Sequence, residues 1–177
     1  LSFDKNTNGW LIGEGAGTVI LKSVELAKKA NEQIFATIDS LSFSTRISQK
    51  SVENAANQAL AEANISAGEI GMLEVFGSGV IAEDSAEMSG LAQAYAKVDA
   101  GCALGSIKAN VGHTFAASGM ASLIKAALCL HHRFIPGVPK WKFPKTELQS
   151  AKQFYVPVES RPWLIQPGIA KRHAAIS

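Results

Sequence analysis

The spacing of apolar positions switches between strand-like and helix-like repeats along the chain. Residues 10–22 (WLIGEGAGTVILK) carry glycines and close on a β-branched apolar run, which predicts a loop feeding a buried strand. Residues 24–31 predict a short helix with a polar face. Residues 34–43 alternate Ile34, Ala36 and Ile38, then Leu41 and Phe43, as a strand does. Val52, Ala55, Ala56, Ala59, Leu60 and Ala63 recur at helical spacing, giving an amphipathic helix over about 49–64. Ser66 with Glu69 forms a capping box for one short turn, and 72–75 then enters a sheet. A second box, Asp84 with Glu87, opens a helix whose Met88, Leu91, Ala92 and Tyr95 share one face.

Residues 102–107 predict a short strand, followed by a turn with Gly105 and Gly112. A long small-residue helix then runs to about His132. Its stretch 114–130 contains Lys125 and is too short and small-residued for a membrane span, so it reads as a buried core helix. Pro136, Pro139, Pro144 and Pro157 break any helix, so the remainder reads as loops and short strands. Residues 169–177 look like a strand just starting. Strands alternating with helices through short connections predict an α/β fold with sites beyond the strand ends. The length of 177 residues suits about one domain. Leu at position 1, and residues 1–8 without a charged n-region or an apolar h-region, read as a piece of a larger protein rather than a signal peptide.

Composition narrows the function classes. Hydrophobic residues at 47% and charged residues at 18% suffice for a core and exclude a disordered chain. The net charge of +2 argues against a general nucleic-acid binder. The charge is uneven: residues 1–139 hold 10 basic and 13 acidic side chains, and 140–177 hold 7 and 2. Cys102 and Cys129 lack CxxC spacing, which excludes a disulfide scaffold and reads as a reduced, cytoplasmic chain. No histidine pair has metal spacing with a third ligand, so no metal site is expected.

Three glycine-bearing stretches could carry chemistry. GEGAG at 13–17 lacks the GxGxxG spacing and leads into a predicted strand, so it reads as close packing rather than phosphate binding. FGSGV at 76–80 sits between a strand and a capped helix, where ligand contacts are placed. Phe76 and Val80 cannot move protons, and the loop reads as scaffold on its chemistry alone. GSIKANVGHT at 105–114 sets His113 at the start of an apolar helix, with Lys108 nearby. A helix N-terminus and a close lysine both favour neutral imidazole, which can steady an oxyanion through one N–H. A histidine that merely caps the helix fits the same residues. His131 and His132, at a helix end beside Arg133, read as solvated.

Taken together, these stretches resemble the C-terminal part of a β-ketoacyl synthase, the condensing enzyme of fatty acid and polyketide synthesis. Phe3, Asp4, Gly9, GEGAG and Leu21 follow the family pattern FDxxxxGxxxGEGAGxxxL. Residues 105–128 follow GSxKxNxGHxxxAxGxxxLIKAxL, and Arg161-Pro162-Trp163 matches a later landmark. The likeness covers nearly the whole chain. It implies a thiolase-like layered αβαβα fold, here mainly its C-terminal half: the N-terminal half ends over about 1–30, and 31–177 form a C-terminal half truncated at its end. It also implies a Cys nucleophile upstream, with neither Cys102 nor Cys129 in its motif. His113 corresponds to the second of two catalytic histidines and Lys108 to the motif lysine.

The first histidine, in HGTGT, falls on Phe76. Of the two threonines that meet the phosphopantetheine arm, one becomes Ser78 and the other Val80. The glycines keep the turn while the proton chemistry is gone. This pattern is similar to the chain-length factors that pair with an active ketosynthase, above all those of bacterial polyunsaturated fatty acid synthases. No directly bound cofactor is implied, only phosphopantetheine on a partner acyl carrier protein, and neither nucleic acid nor membrane as a partner. The alternative is an active condensing enzyme in which His113 and Lys108 suffice. A thiolase-type acyl-CoA enzyme is disfavoured by the GEGAG and NxGH stretches.

Overall fold

The protein is described by a computed structural model covering residues 3–7, 9–98 and 101–177; Leu1 and Asn8, which bound the N-terminal stretch read above, lie outside the described residues. The elements follow in order as α1 (Val24–Lys29), α2 (Gln49–Ala63), β1 (Ile70–Glu74), α3 (Ile81–Ala94), β2 (Cys102–Gly105) and α4 (Lys108–Val111). Then come α5 (Ser118–His132), β3 (Phe134–Ile135), α6 (Thr146–Ser150), β4 (Phe154–Tyr155), β5 (Arg161–Pro162) and β6 (His173–Ile176). Four strands form a parallel sheet in the order β4-β2-β1-β6, with Met72 opposite Ala103 and Ala174. A small antiparallel ribbon joins β3 to β5.

Period-two alternation sends side chains to two cores. Leu73, Cys102 and Leu104 pack with Met88, Leu91 and Tyr95 of α3 and with Phe154. Met72 and Ala103 face the other way, against Cys129 of α5, Ile135 and Trp163. Each large apolar side chain so buried contributes about 1.5–3 kcal/mol. Helix α5 buries Ser118, Ser122, Ala126 and Cys129 along one stripe, and these small residues let it lie close to the sheet. Helix α2 starts on a Ser48 cap and stops at Asn64, whose left-handed φ of 54° ends the helix. It lies against α3 at Gly90, where a Cβ would come within 2.5 Å of the Gln49 carbonyl. Among the described residues no helix is long and apolar enough to cross a membrane.

Several expectations change. Residues 13–22 and 33–43 form no strand and pair with none among the described residues, and Ile20 (93%) and Phe43 (81%) are exposed. A strand needs a backbone ladder beside it, and the apolar pattern alone did not supply one. Asp84 and Glu87 do not cap α3. That helix begins at Ile81, and both carboxylates lie buried within it, reaching back to the preceding loop. The long helix starts at Ser118, not at His113, because a single 3-10 turn (Phe115–Ala117) intervenes. The proline-rich end contains α6, which fits between Pro144 and Pro157. His131 is half-buried rather than solvated, its ring 4.8 Å from that of Phe35.

Candidate functional site

The site is built on the two loops that leave the C-terminal ends of β1 and β2. In the first, the Glu87 carboxylate accepts hydrogen bonds from Phe76 N and Gly77 N, both at 2.8 Å. Asp84 accepts from Gly79 N at 3.0 Å and pairs with Lys145 at 2.6 Å. Gly79 has φ +82°, and a Cβ there would stand 2.4 Å from the Gly9 carbonyl oxygen, so glycine is required. Ser78 is buried and its Oγ accepts from Val80 N at 3.0 Å, which turns the hydroxyl inward. Val80 is exposed at the entry to α3.

The second loop is zipped to the N-terminal segment. His113 N donates to Leu11 O at 2.8 Å, and Gly13 N donates to His113 O at 3.0 Å. A Cβ on Gly13 would fall 2.0 Å from Val111 O. The first glycine of GEGAG therefore serves close packing, and it anchors the backbone of His113 against the chain start.

Phe76, Lys108 and His113 come together. The Phe76 and His113 rings meet edge to face, with centroids 5.8 Å apart at 89°. Lys108 Nζ lies over the Phe76 ring, 4.2 Å from its centroid, and donates to Phe76 O at 2.7 Å. Trp10 and Phe115 stand 4.9 and 5.1 Å from the His113 ring, so three aromatic rings surround the imidazole. His113 Nδ1 accepts from Phe115 N at 3.0 Å, which places the ring proton on Nε2. Burial and the Lys108 ammonium hold the His113 pKa below the usual histidine range. Neutral His113, whose Nε2–H has no partner among the described residues, can stabilise an oxyanion; the Phe76 ring can do no more than wall the space.

Charged residues beneath this cluster were not anticipated from the sequence. Glu74 is fully buried, pairs with Lys125 at 2.6 Å, and accepts from Ile107 N at the entry to the second loop. Burial raises the Glu74 and Glu87 pKa values, against the pull of Lys125 on the first and of loop N–H groups on the second. Burial also lowers the Lys108 pKa, opposed by Glu87 and Glu74. A signal was available: an acid in an apolar strand and a lysine in an apolar helix need each other. Asp4 accepts from Asn6 N, Lys142 N and Phe143 N, which ties the chain start to the basic end segment. Both cysteines are free and buried, and burial pushes Cys102 up to about 12, which leaves it inert. Among the described residues no group of three or more His, Cys, Asp or Glu could hold a metal ion.

Comparison with known proteins gives this arrangement its family. Residues 15–141 match the family described as beta-ketoacyl synthase, C-terminal domain. Over 99% of its length the chain is 33% identical to a component of the phenolphthiocerol/phthiocerol polyketide synthase of Mycobacterium tuberculosis, of which it spans 10%. It is 31% identical, over 99% of its length, to a component of the polyunsaturated fatty acid synthase of Thraustochytrium sp., of which it spans 9%. The ketosynthase from module 6 of the bacillaene synthase of Bacillus subtilis 168 superposes with a TM-score of 0.90 at 29% identity, covering 99% of this chain and 33% of that one. The ishigamide ketosynthase/chain length factor superposes with a TM-score of 0.81 at 25% identity, covering 93% and 41%. The chain thus spans about a tenth of these curated relatives and a third or so of the solved ketosynthases. Motifs, parallel sheet and superposition agree: this chain belongs to the β-ketoacyl synthase family, matching its C-terminal domain, and has the thiolase-like α/β fold.

Proposed function

We propose that this chain is part of a chain-length-factor domain of a polyunsaturated fatty acid or polyketide synthase. Residues 1–30 would close its N-terminal half and 31–177 would form the C-terminal half. It docks on an active ketosynthase in the cytoplasm, shapes the acyl tunnel, and does not itself condense. The observation that carries this reading is Phe76 facing His113 where the resemblance places an imidazole. Decarboxylative Claisen condensation leaves negative charge on the thioester oxygen of the malonyl unit as carbon dioxide departs. Two N–H donors at that oxygen are what the family's paired histidines offer. Here His113 Nε2–H is one, and the hydrocarbon ring of Phe76 replaces the other. Losing one such donor raises a barrier by about 2.7–4 kcal/mol.

The substrates would arrive as thioesters on the phosphopantetheine arm of an acyl carrier protein. Ser78 and Val80 occupy the loop that would meet this arm. Ser78 keeps a hydroxyl, already engaged by Val80 N, and Val80 offers only an apolar surface. The test is reconstitution of the full-length parent with its partner ketosynthase and malonyl-carrier protein. Product should form only when the partner is present, and its length distribution should change when the parent is omitted or exchanged. An unchanged distribution contradicts the reading.

A second reading rests on a specific observation. Lys108 and His113 keep the positions that a working condensing enzyme needs, and the His113 tautomer is set for donation. In that case a nucleophilic Cys in the parent would act with one histidine. A variant replacing that Cys would then abolish elongation by the parent alone.

A further inference from the structure

A second concave site lies at the opposite end of the sheet. Gly71 stands at the start of β1, Gly101 precedes β2, and Lys171 and Arg172 lead into β6, so the cavity of about 300 Å³ that they border sits at the N-terminal edge of the parallel strands. Phe76 and Ser106 follow the other ends of β1 and β2, so the two sites are distinct. Buried Trp163 forms one wall, and its indole nitrogen would lie 2.6 Å from any Cβ on Gly71. Glycine there leaves room for the indole.

Among the described residues the lining is net cationic, with Arg161, Lys171 and Arg172 against the single carboxylate of Glu69. The Arg161 guanidinium lies over the Tyr155 ring at 4.4 Å, which fixes its plane. Arg172 Nε donates to Trp163 O at 2.7 Å, which holds that guanidinium at the rim. Among the described residues no carboxylate stands within ion-pair distance of Arg161, Lys171 or Arg172. The Glu69 carboxylate, held by Ser66 N at 2.9 Å and Ser66 Oγ at 3.0 Å, is turned to its own helix cap and offsets one of the three positive charges.

We propose that this cavity binds a small phosphate-bearing molecule. Two planar guanidinium forks and an ammonium suit a phosphate oxyanion, since each fork can present paired N–H donors. The apolar body of the ligand would rest on Trp163 and Ile169. The volume falls at the lower end of small-molecule pockets. This site is independent of the condensation chemistry, and its test reads binding alone.

The test is calorimetric titration of the full-length protein with inorganic phosphate and with phenyl phosphate, at constant ionic strength. Both bind saturably, phenyl phosphate more tightly. Arg161→Gln and Lys171→Gln each weaken phenyl phosphate binding about tenfold, since each removes a charged donor, while Lys140→Gln, outside the cavity, leaves it unchanged. Thermal melting of each variant confirms that it is folded. Absence of saturable binding, or an affinity untouched by both cavity variants, overturns the proposal.

Discussion

The rings of Phe76 and His113 meet edge to face, with their planes at 89° and centroids 5.8 Å apart. The same Phe76 ring carries the Lys108 ammonium over its face. One aromatic side chain thus contacts both polar residues that the family resemblance makes catalytic. It stands where the resemblance places a proton donor, and its ring has no proton to supply.

Replacing Phe76 in the full-length parent tests this directly. Phe76→His restores one donor at the enolate oxygen and supplies no nucleophile. Malonyl decarboxylation should rise by about 10²–10³-fold over the parent, the worth of one oxyanion donor, and elongation should stay absent. Carbon dioxide release and product analysis with malonyl-carrier protein check both halves. No gain in decarboxylation would place the oxyanion elsewhere.

His113 titrates below the usual histidine range because of its partial burial and the Lys108 charge, with Glu83 pulling the other way. Lys108→Met removes the repelling charge, so the His113 pKa should move back up. A histidine with a depressed pKa takes its proton more readily when unfolded. Its contribution to stability is therefore present above the ordinary histidine pKa and is lost as the pH falls below it. NMR titration of the His113 ring in the parent and in Lys108→Met reads the shift, and an unchanged value would show that burial alone sets it.

Much of the fold was legible in the sequence because it rests on local periodicity. Helix α2 and its stop at Asn64, the Ser66–Glu69 turn, and strands β1 and β2 all follow from side-chain spacing. The unpaired segments 13–22 and 33–43 were not, since an apolar alternation reports burial potential and not the ladder partner that realises it. Within the site, His113, Lys108 and Phe76 were found through motif resemblance, and their convergence could not be read from spacing 32 and 37 positions apart. Asp84 and Glu87 misled because three-residue spacing also fits carboxylates that reach back to a loop. Glu74 escaped notice because one acid in an apolar strand means little until its lysine is placed in space.

The Glu74–Lys125 pair should be costly to break. Lys125→Met leaves Glu74 buried without its cation, and the loss should be about 3–5 kcal/mol near neutral pH. Burial already raises the Glu74 pKa, and removing Lys125 takes away the strongest opposing influence. A carboxyl with a raised folded pKa stabilises fully below its unfolded value and loses that contribution as the pH rises through the folded one. The variant should therefore lose relatively more stability as the pH rises above the ordinary glutamate range. Denaturant melts at several pH values check the sign; a pH-independent loss contradicts it.

Exposed apolar residues in the two unpaired segments set the behaviour of the isolated chain. Ile20, Leu21, Ile38, Leu41 and Phe43 are all more than half exposed. Patches of this kind drive association. The 177-residue chain alone should bind an apolar dye and aggregate on concentration. A soluble monomer with cooperative unfolding and no dye binding would refute this expectation.

Whether the full-length parent elongates an acyl chain without any partner ketosynthase decides between a condensing domain and a chain-length factor. The parent is supplied with acyl- and malonyl-carrier protein, and lengthened product is followed over time. No elongated acyl chain should form from the parent alone, and product should appear once an active ketosynthase is added. Elongation by the parent alone at ordinary enzymatic rates, about 1–10³ per second, would show that Phe76 does not disable the site and would contradict the chain-length-factor reading.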